Sequence, residues 1–352
     1  MTTSLNPDAI VECVPNFSEG TDRAKVAAIV AAMQVEGVRL LDWSLDTAHN
    51  RSVVTIAGAP AAVVESAVRG VGRAAQLIDL TRQSGVHPRI GAADVVPFVP
   101  VSGLSLAEAA MLARSAGLEI WRRYGVPVYF YEAAAARPDR VNLEDVRRGQ
   151  FEGLRETAHR DAQRRPDVGG PEVHPTAGAS AVGARRFLIA YNIYLVGQGA
   201  AQSAVERERP GRLQEAARRQ KRHQAQAGGA QAGNPDPQQG EIAAARAIAR
   251  EIRASAGGMQ GVKAIGVTVN GRAQVSMNIT DFRVTPMGEV HAAVQKLARQ
   301  HGVVAGEGEL IGLVPQEAYD AAAEWVREIP GFDAEAKVLE RRLEHPLDWP
   351  LG

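Results

Sequence analysis

Disulfide chemistry is the first thing this sequence lacks. Its 352 residues contain one cysteine, Cys13, which excludes an intrachain disulfide framework and suits a reducing compartment. Cys13 lies in the apolar stretch from Ile10 to Pro15 and reads as buried packing. Excess charge is missing too. Lysine plus arginine and aspartate plus glutamate number 40 each, so there is no long-range field for nucleic acid or an anionic membrane, and charge recognition must be local. Aromatic residues make up 5% and no Arg/Lys-Gly-Phe-Gly-Phe strand occurs, which argues against an RNA-binding surface. No run approaches the roughly eighteen apolar residues of a membrane-spanning helix, and Met1 to Ala9 lacks the basic and apolar regions of a signal peptide. A cytoplasmic protein without nucleic-acid or membrane partners is expected.

Several reaction classes are also short of their signatures. There is no Cys-x-x-Cys and no His-x-x-x-His, so His87, Asp46, His49 and Asp94 make a poor metal set and no metal is expected. No Gly-x-Ser-x-Gly elbow supports serine hydrolysis. Gly306-Glu-Gly308 lacks the third glycine of a dinucleotide fingerprint.

What is present is a 45% hydrophobic chain, long enough for two domains. Hydrophobic periodicity predicts a strand at Ile10 to Val14, a helix at Asp22 to Met33, strands at Val38 to Trp43 and Ser52 to Ala57 flanking the polar segment Ser44 to Arg51, a helix from Pro60, and a strand at Val95 to Val101. This is the β-α-β-β-α-β order of the ferredoxin-like split motif. A helix from Ser105 to Tyr124 and a short strand at Val128 to Tyr131 follow. The order then recurs: Phe187 to Val196, Gly240 to Ser255, a hairpin around Asn270-Gly271, Pro286 to His301, and Val303 to Val314. The expected class is α+β, two such subdomains at 8–184 and 185–335 with a tail at 336–352, and a ligand groove between apposed sheets. Gly197 to Gln239 looks inserted and flexible. Its basic core, Arg207 to Arg222, is diluted by Glu206, Glu208 and Glu215 and has no interleaved aromatics, so it reads as a solvated helix.

Polar residues gather at a few places. Gly85-Val-His-Pro-Arg-Ile-Gly91, continuing to Asp94, is a proline-stiffened loop in which Pro88 restricts His87 to extended backbone, aiming its imidazole. His87 is read as the reacting residue. Asn16 and Glu19 follow the first strand as binding candidates, with Ser18 or Thr21 available to cap the next helix. Asp46, His49 and Arg51 form a second cluster, Arg51 offering a fork for a carboxylate and Asp46 a partner for a histidine or a cation. The crossover Gly169 to Arg186 combines glycines that allow close backbone approach with Arg185. Gln274, Ser276 and Asn278 alternate along one strand face.

Together the segments Val14-Pro-Asn-Phe-Ser-Glu-Gly20, His49-Asn-Arg-Ser52, Gly85-Val-His-Pro-Arg-Ile-Gly-Ala-Ala-Asp94, Gly183-Ala-Arg-Arg-Phe-Leu-Ile-Ala-Tyr-Asn192 and Gln274-Val-Ser-Met-Asn278 resemble the glutamate formiminotransferase family over about residues 10 to 330. The resemblance implies transfer of a formimino group from N-formiminoglutamate to N5 of tetrahydrofolate in histidine degradation. It implies His87 as the catalytic histidine. It implies a folate-contacting segment of Asp167, Val168, Gly169, Gly170, Pro171, Glu172, Val173, His174, Pro175 and Thr176. Tetrahydrofolate, possibly polyglutamylated, enters as co-substrate, and a homodimer is expected on the same ground. The long insertion departs from the family pattern, and the chain leaves no room for the cyclodeaminase domain fused in some relatives, so a separate cyclodeaminase is expected as pathway partner.

That chemistry needs proton traffic and no metal: one group takes the proton from N5 and one protonates the departing glutamate nitrogen. A histidine of ordinary pKa, about 6.5, does both in turn. Asp46 is the expected orienting partner of His87, with Asp94 the alternative. Arg51, Arg89 and Arg185 are the candidate carboxylate clamps, and Asn16, Glu19, His49, Asp94, Gln274 and Asn278 complete the expected substrate contacts. Competing readings are another one-carbon folate transferase, a formiminoglutamate hydrolase and, more remotely, an RNA-binding module.

Overall fold

The computed structural model describes residues 6–83, 85, 88–198, 237–322, 325–326 and 329–351. Two compact units make up the α+β fold. The first runs to Phe187 and takes back Gly312–Pro315 and the chain from Ala334 onward, while the second comprises Leu188–Ile311 and Gln316–Asp333. The tail expected to stand apart from residue 336 therefore belongs to the packing of the first unit.

The first unit contains β1 (Ile10–Cys13), β2 (Asn16–Phe17), α1 (Arg23–Ala32), β3 (Val38–Asp46), β4 (Arg51–Gly58), α2 (Pro60–Leu77), β5 (Ala93–Ser102), α3 (Leu106–Tyr124), β6 (Val128–Glu132), α4 (Leu143–Val146), α5 (Gln150–Thr157) and β7 (Ser180–Ala184). β3 pairs with β4, β4 with β1 and β2, and these with β5, all antiparallel. This is the ferredoxin-like strand order. β7 and β6 then extend the sheet in parallel beyond β5.

Strand alternation gives the sheet two different faces. Val11, Cys13, Val54, Ile56 and Phe98 join residues of α1, α2 and α3 in one buried layer, where each fully enclosed Val, Ile or Phe contributes roughly 1.5–3 kcal/mol. The alternate positions, including Glu12, Thr55 and Arg51, fall on the face without these helices. Leu41 and Ala57 on that face are covered by Leu313 and Leu339.

The helix ends follow local chemistry. Asp22 caps α1 by accepting from the Ala24 and Lys25 amides, Pro60 occupies the first turn of α2, and Ser105 with Glu108 forms a capping box on α3. Half of the polar segment expected from Ser44 to Arg51 is strand. β3 runs to Asp46, β4 starts at Arg51, and only 47–50 turn, with Asn50 at φ 50°. Neither β7 nor the α4–α5 segment was legible from periodicity. Elements of four, five and eight residues are too short to repeat an apolar face clearly.

The second unit contains β8 (Ile189–Gly197), α6 (Pro237–Ile252), β9 (Val262–Val269), β10 (Arg272–Ile279), α7 (Met287–Gln300) and β11 (Val303–Ile311). Its sheet order is β11-β8-β10-β9, all antiparallel. Asn270 and Gly271 turn the β9–β10 hairpin with φ of 50° and 75°, the positive values a tight two-residue turn demands. α6 packs so closely on β9 that a Cβ on Gly266 would fall 2.4 Å from the Arg246 amide nitrogen. Of the insertion expected at 197–239, residues 199–236, with the basic core, lie outside the described residues. Gly197 closes β8, and α6 starts at Pro237, ahead of the expected Gly240.

Candidate functional site

Asp46 and Arg51 are the last opposed pair of the β3–β4 hairpin, so their side chains share the face away from α1, α2 and α3. Asp46 accepts the His49 backbone N–H at 3.0 Å, and its other oxygen lies 2.6 Å from His49 Nδ1. This is the self-bonding turn that aspartate favours. Burial alone would raise the Asp46 pKa, but the His49 amide and ring and the Arg51 charge hold it below its ordinary value. The hairpin mouth is also braced from below. A Cβ on Gly20 would meet Asp46 O at 2.3 Å and Arg51 N at 2.4 Å, and the Gly20 amide donates to Asn50 Oδ1.

The loop between α2 and β5 docks beside this turn. Gln83 donates to the carbonyls of Ser18 and Asn50, and a Cβ on Gly85 would lie 2.9 Å from His49 O. Ser84, Val86 and His87 lie outside the described residues, so the expected catalytic histidine has no described position. The far arm of the loop is gripped by the α4–α5 segment. Arg89 donates to Gln83 and Glu152, its carbonyl accepts the Phe151 amide at 2.8 Å, and Arg147 donates to Asp94 Oδ2 while Asp94 Oδ1 accepts the Ile90 amide. Arg89, expected as a carboxylate clamp, thus uses its guanidinium to hold the loop. Asp94 is likewise engaged by Arg147 and the Ile90 backbone.

The Arg51 guanidinium is acidified by burial and by the charge of Arg147, an effect opposed by Asp94 and Asp46. Two cations and two carboxylates therefore share one neighbourhood with His49. Such a concentration of partly and fully buried charge marks a candidate functional site.

The first-strand candidates have local roles. Asn16 Nδ2 donates to Val14 O. Ser18 does not cap α1, since its hydroxyl donates to the buried Gly91 carbonyl, and Asp22 supplies the cap instead of Ser18 or Thr21. Glu19 takes part in the same turn: Oε1 accepts from the amides of Thr21 and Asp22 and from the Thr21 hydroxyl, and Oε2 faces Lys25 at 3.3 Å. Burial would raise its pKa, yet these bonds lower it. Arg185 donates through Nη1 to Arg186 O and through its amide to Phe98 O. Near it, Glu12 is buried on the face away from α1, α2 and α3, and burial, eased by Arg185 and reinforced by Glu340, pushes its pKa up to about 7.

The crossover residues 167–176 bend sharply. Asp167 accepts the Phe130 amide at 2.8 Å and Arg140 at 2.7 Å, and Val168 bridges Val128. Gly169 and Gly170 both have positive φ, 77° and 87°, and the Gly170–Pro171 bond is cis. A Cβ on Gly169 would fall 2.5 Å from the Trp121 ring. Gly169, Gly170, Pro171, Glu172 and Pro175 are exposed and Val173 is buried. His174 Nδ1 accepts the Ala177 amide, and burial lowers its pKa. Thr176 O accepts the Leu80 amide at 2.9 Å, which ties the crossover to the start of the 81–94 loop.

In the second unit, Gln274, Ser276 and Asn278 stand opposite Tyr194, Asn192 and Ala190, on the face opposite Val275, Met277 and the helices. Gln274 and Asn192 both donate to Glu309.

Residues 10–185 match the formiminotransferase domain, N-terminal subdomain, and residues 190–338 match the formiminotransferase domain. The chain belongs to the formiminotransferase family. It is 37% identical over 337 residues to a protein of Streptococcus pyogenes serotype M1 named glutamate formimidoyltransferase, covering 95% of this chain and 98% of that one. A Thermoplasma acidophilum protein of the same name is 37% identical over 341 residues, covering 96% and 98%. The mouse formimidoyltransferase-cyclodeaminase is 36% identical over 318 residues, which cover 89% of this chain and 52% of the mouse protein.

Within this formiminotransferase fold, sequence reasoning missed Gln83, Arg147 and Glu152, the side chains that hold the 81–94 loop. An arginine in an irregular charged stretch gives no sign of its partner 53 residues away. The acidic carboxylate at Asp94, stranded in an apolar strand, was the available signal that a distant cation must exist. Among the described residues no group of three His, Cys, Asp or Glu side chains could hold a metal ion, and no described helix is long and apolar enough to cross a membrane.

Proposed function

We propose that this formiminotransferase moves the formimino group of N-formimino-L-glutamate to N5 of tetrahydrofolate, releasing L-glutamate. Two relatives that align over nearly their whole length carry the name glutamate formimidoyltransferase, and the side chains at the β3–β4 hairpin suit the reaction. The observation that carries the reading is the Asp46–His49 turn, docked against the anchored arms of the His87 loop and accompanied by Arg51 and Arg147.

The reaction forms a bond from N5 to the amidine carbon and breaks that carbon's bond to the glutamate nitrogen. His87 takes the proton released at N5 and delivers it to the departing nitrogen, so one imidazole starts and ends in the same state. Arg51, beside Arg147, holds a substrate carboxylate, and residues 167–176 contact the folate. Asp46 stabilises positive charge on a nearby imidazole or on the amidine. Cys13, buried and without a disulfide, fits a cytosolic setting.

The 2.6 Å contact between Asp46 and His49 favours a second reading in which His49 carries the proton, because a carboxylate on Nδ1 fixes that nitrogen as donor and makes Nε2 the basic one. Single variants separate the two. His87→Ala lowers kcat by about a hundredfold or more while folate binding persists. His49→Ala with equal loss, and His87→Ala with unchanged turnover, would transfer the role to His49. Glutamate release that does not depend on tetrahydrofolate would replace transfer by hydrolysis.

A further inference from the structure

Glu309 is a carboxylate held by amides rather than by a cation. Strand pairing sets Glu309 of β11 opposite Asn192 of β8, and Asn192 opposite Ser276 of β10, with Gln274 two residues away on the same face. Asn192 Nδ2 and Gln274 Nε2 both approach Oε2, at 3.3 and 3.4 Å. Among the described residues Oε1 has no hydrogen-bond partner, and Glu309 forms no ion pair. Arg272, on β10, is committed elsewhere: it pairs with Glu307 at 3.1 Å and lies 4.2 Å over the Tyr194 ring.

A carboxylate offers about four acceptor positions. Here two long amide contacts occupy one oxygen loosely, and the other oxygen is open. Gln274 is 3% exposed, so its amide is a fixed wall of the site. An acceptor so framed, without a counter-cation, is complementary to a ligand that brings its own N–H donors. We propose that Glu309 receives the planar N–C–N donor edge of a ligand, two N–H groups on one sp2 carbon, as in an amidine or a 2-aminopyrimidinone. Oε1 takes one N–H, and Oε2 takes the second by loosening one of its long amide contacts. Ser276 and Asn278, next along the same face of β10, offer further polar partners to such a ring or chain.

This inference rests on the proposed transfer reaction, because both of its substrates carry that edge: the formimino group of the donor, and N3–H with the 2-amino group of the reduced folate ring. The test compares wild type with Glu309→Gln and Glu309→Ala, reading KM for each substrate, kcat, melting temperature and calorimetric affinity for tetrahydrofolate. Glu309→Gln keeps the shape and turns an acceptor into a donor, so it raises one KM about tenfold to a hundredfold with a smaller change in kcat. A shift confined to tetrahydrofolate assigns the pyrimidinone edge, and one confined to N-formiminoglutamate assigns the formimino edge. Unchanged constants for both substrates overturn the proposal.

Should the variants lose melting temperature, ligand analogues keep the question answerable. Wild type discriminates against a reduced folate whose 2-amino group is replaced by methyl, or against N-formylglutamate, and the variant loses that discrimination. Equal discrimination by wild type and variant against both analogues also overturns the proposal. Absence of turnover in wild type, with calorimetric folate binding intact, would sink the transfer reaction alone, since the Glu309 dependence is still read from binding.

Discussion

At the scale of single residues, Arg147 and Glu12 define opposite ways of keeping charge inside a sheet protein. Arg147 pairs with Asp94, whose side chain is 3% exposed, and Asp94 in turn fixes the Ile90 amide. Removing one member of such a pair strands the other. Arg147→Met is therefore expected to destabilise by about 3 kcal/mol or more and to lower kcat more than it raises KM, as the His87 loop loses its far anchor. Denaturant titration and steady-state kinetics check this, and a fully stable, fully active Arg147→Met protein would show that the pair holds nothing.

Glu12 instead escapes charge by holding a proton. Its pKa rises from 4.5 to about 7 on folding, so between those values the native state binds more protons than the unfolded chain. Stability from this group is complete below pH 4.5, falls as pH rises, and is gone above about pH 7, a change of about 3 kcal/mol. Glu12→Gln is expected to remove that slope and to be the more stable protein at pH 8. Parallel wild-type and variant stability curves across this window would refute the buried proton. The sequence shows Glu12 only as a polar residue in an apolar strand. Its neighbours Arg185 and Glu340 come from segments that only the fold brings near.

At the scale of elements, what is local in sequence was legible and what depends on a partner was not. The helix start at Ser105 and the Asn270-Gly271 turn are written in adjacent residues, and both elements form where the sequence places them. The β3–β4 hairpin was read with too long a turn, because Ser44, Asp46 and Arg51 are polar strand residues on a face that faces away from the core. The α1 cap went to Asp22 because the Ser18 hydroxyl was already taken by the Gly91 carbonyl. Two substitutions probe these elements. Ser105→Ala loses the box and is expected to cost about 0.5–2 kcal/mol with activity unchanged, as thermal melting and kinetics would record. Gly20→Ala drives a methyl into the backbone of the hairpin mouth and is expected to cost about 1–3 kcal/mol together with most of the activity. A normally active Gly20→Ala enzyme would mean that the Asp46–His49 turn tolerates displacement.

At the scale of the whole molecule, the twofold repetition of the split motif was visible as a repeated order of elements, whereas the path of the chain between units was not. After β11 the chain returns to the first unit, where Leu313 and Leu339 cover Leu41 and Ala57. Farther on, the Leu347 amide donates to Leu40 O at 2.7 Å along β3, which among the described strands otherwise pairs with β4 alone. The returning segment thus both completes a core and covers a sheet edge. Leu339→Ala is expected to cost about 2–5 kcal/mol, read by denaturant unfolding. A chain ended after Pro330 is expected to associate through the uncovered β3 edge, which light scattering would detect as particles absent from the 352-residue chain.

The same return path bears on how the protein is born. Synthesis releases domains in order, and folding usually follows, but here every residue of the second unit leaves the ribosome before 334–351 have emerged to finish the first. The unit begun first is the one completed last. During translation its β3 edge stays uncovered for the whole time that residues 188–333 are being made, and Leu41, though Leu313 is already present, still waits for Leu339.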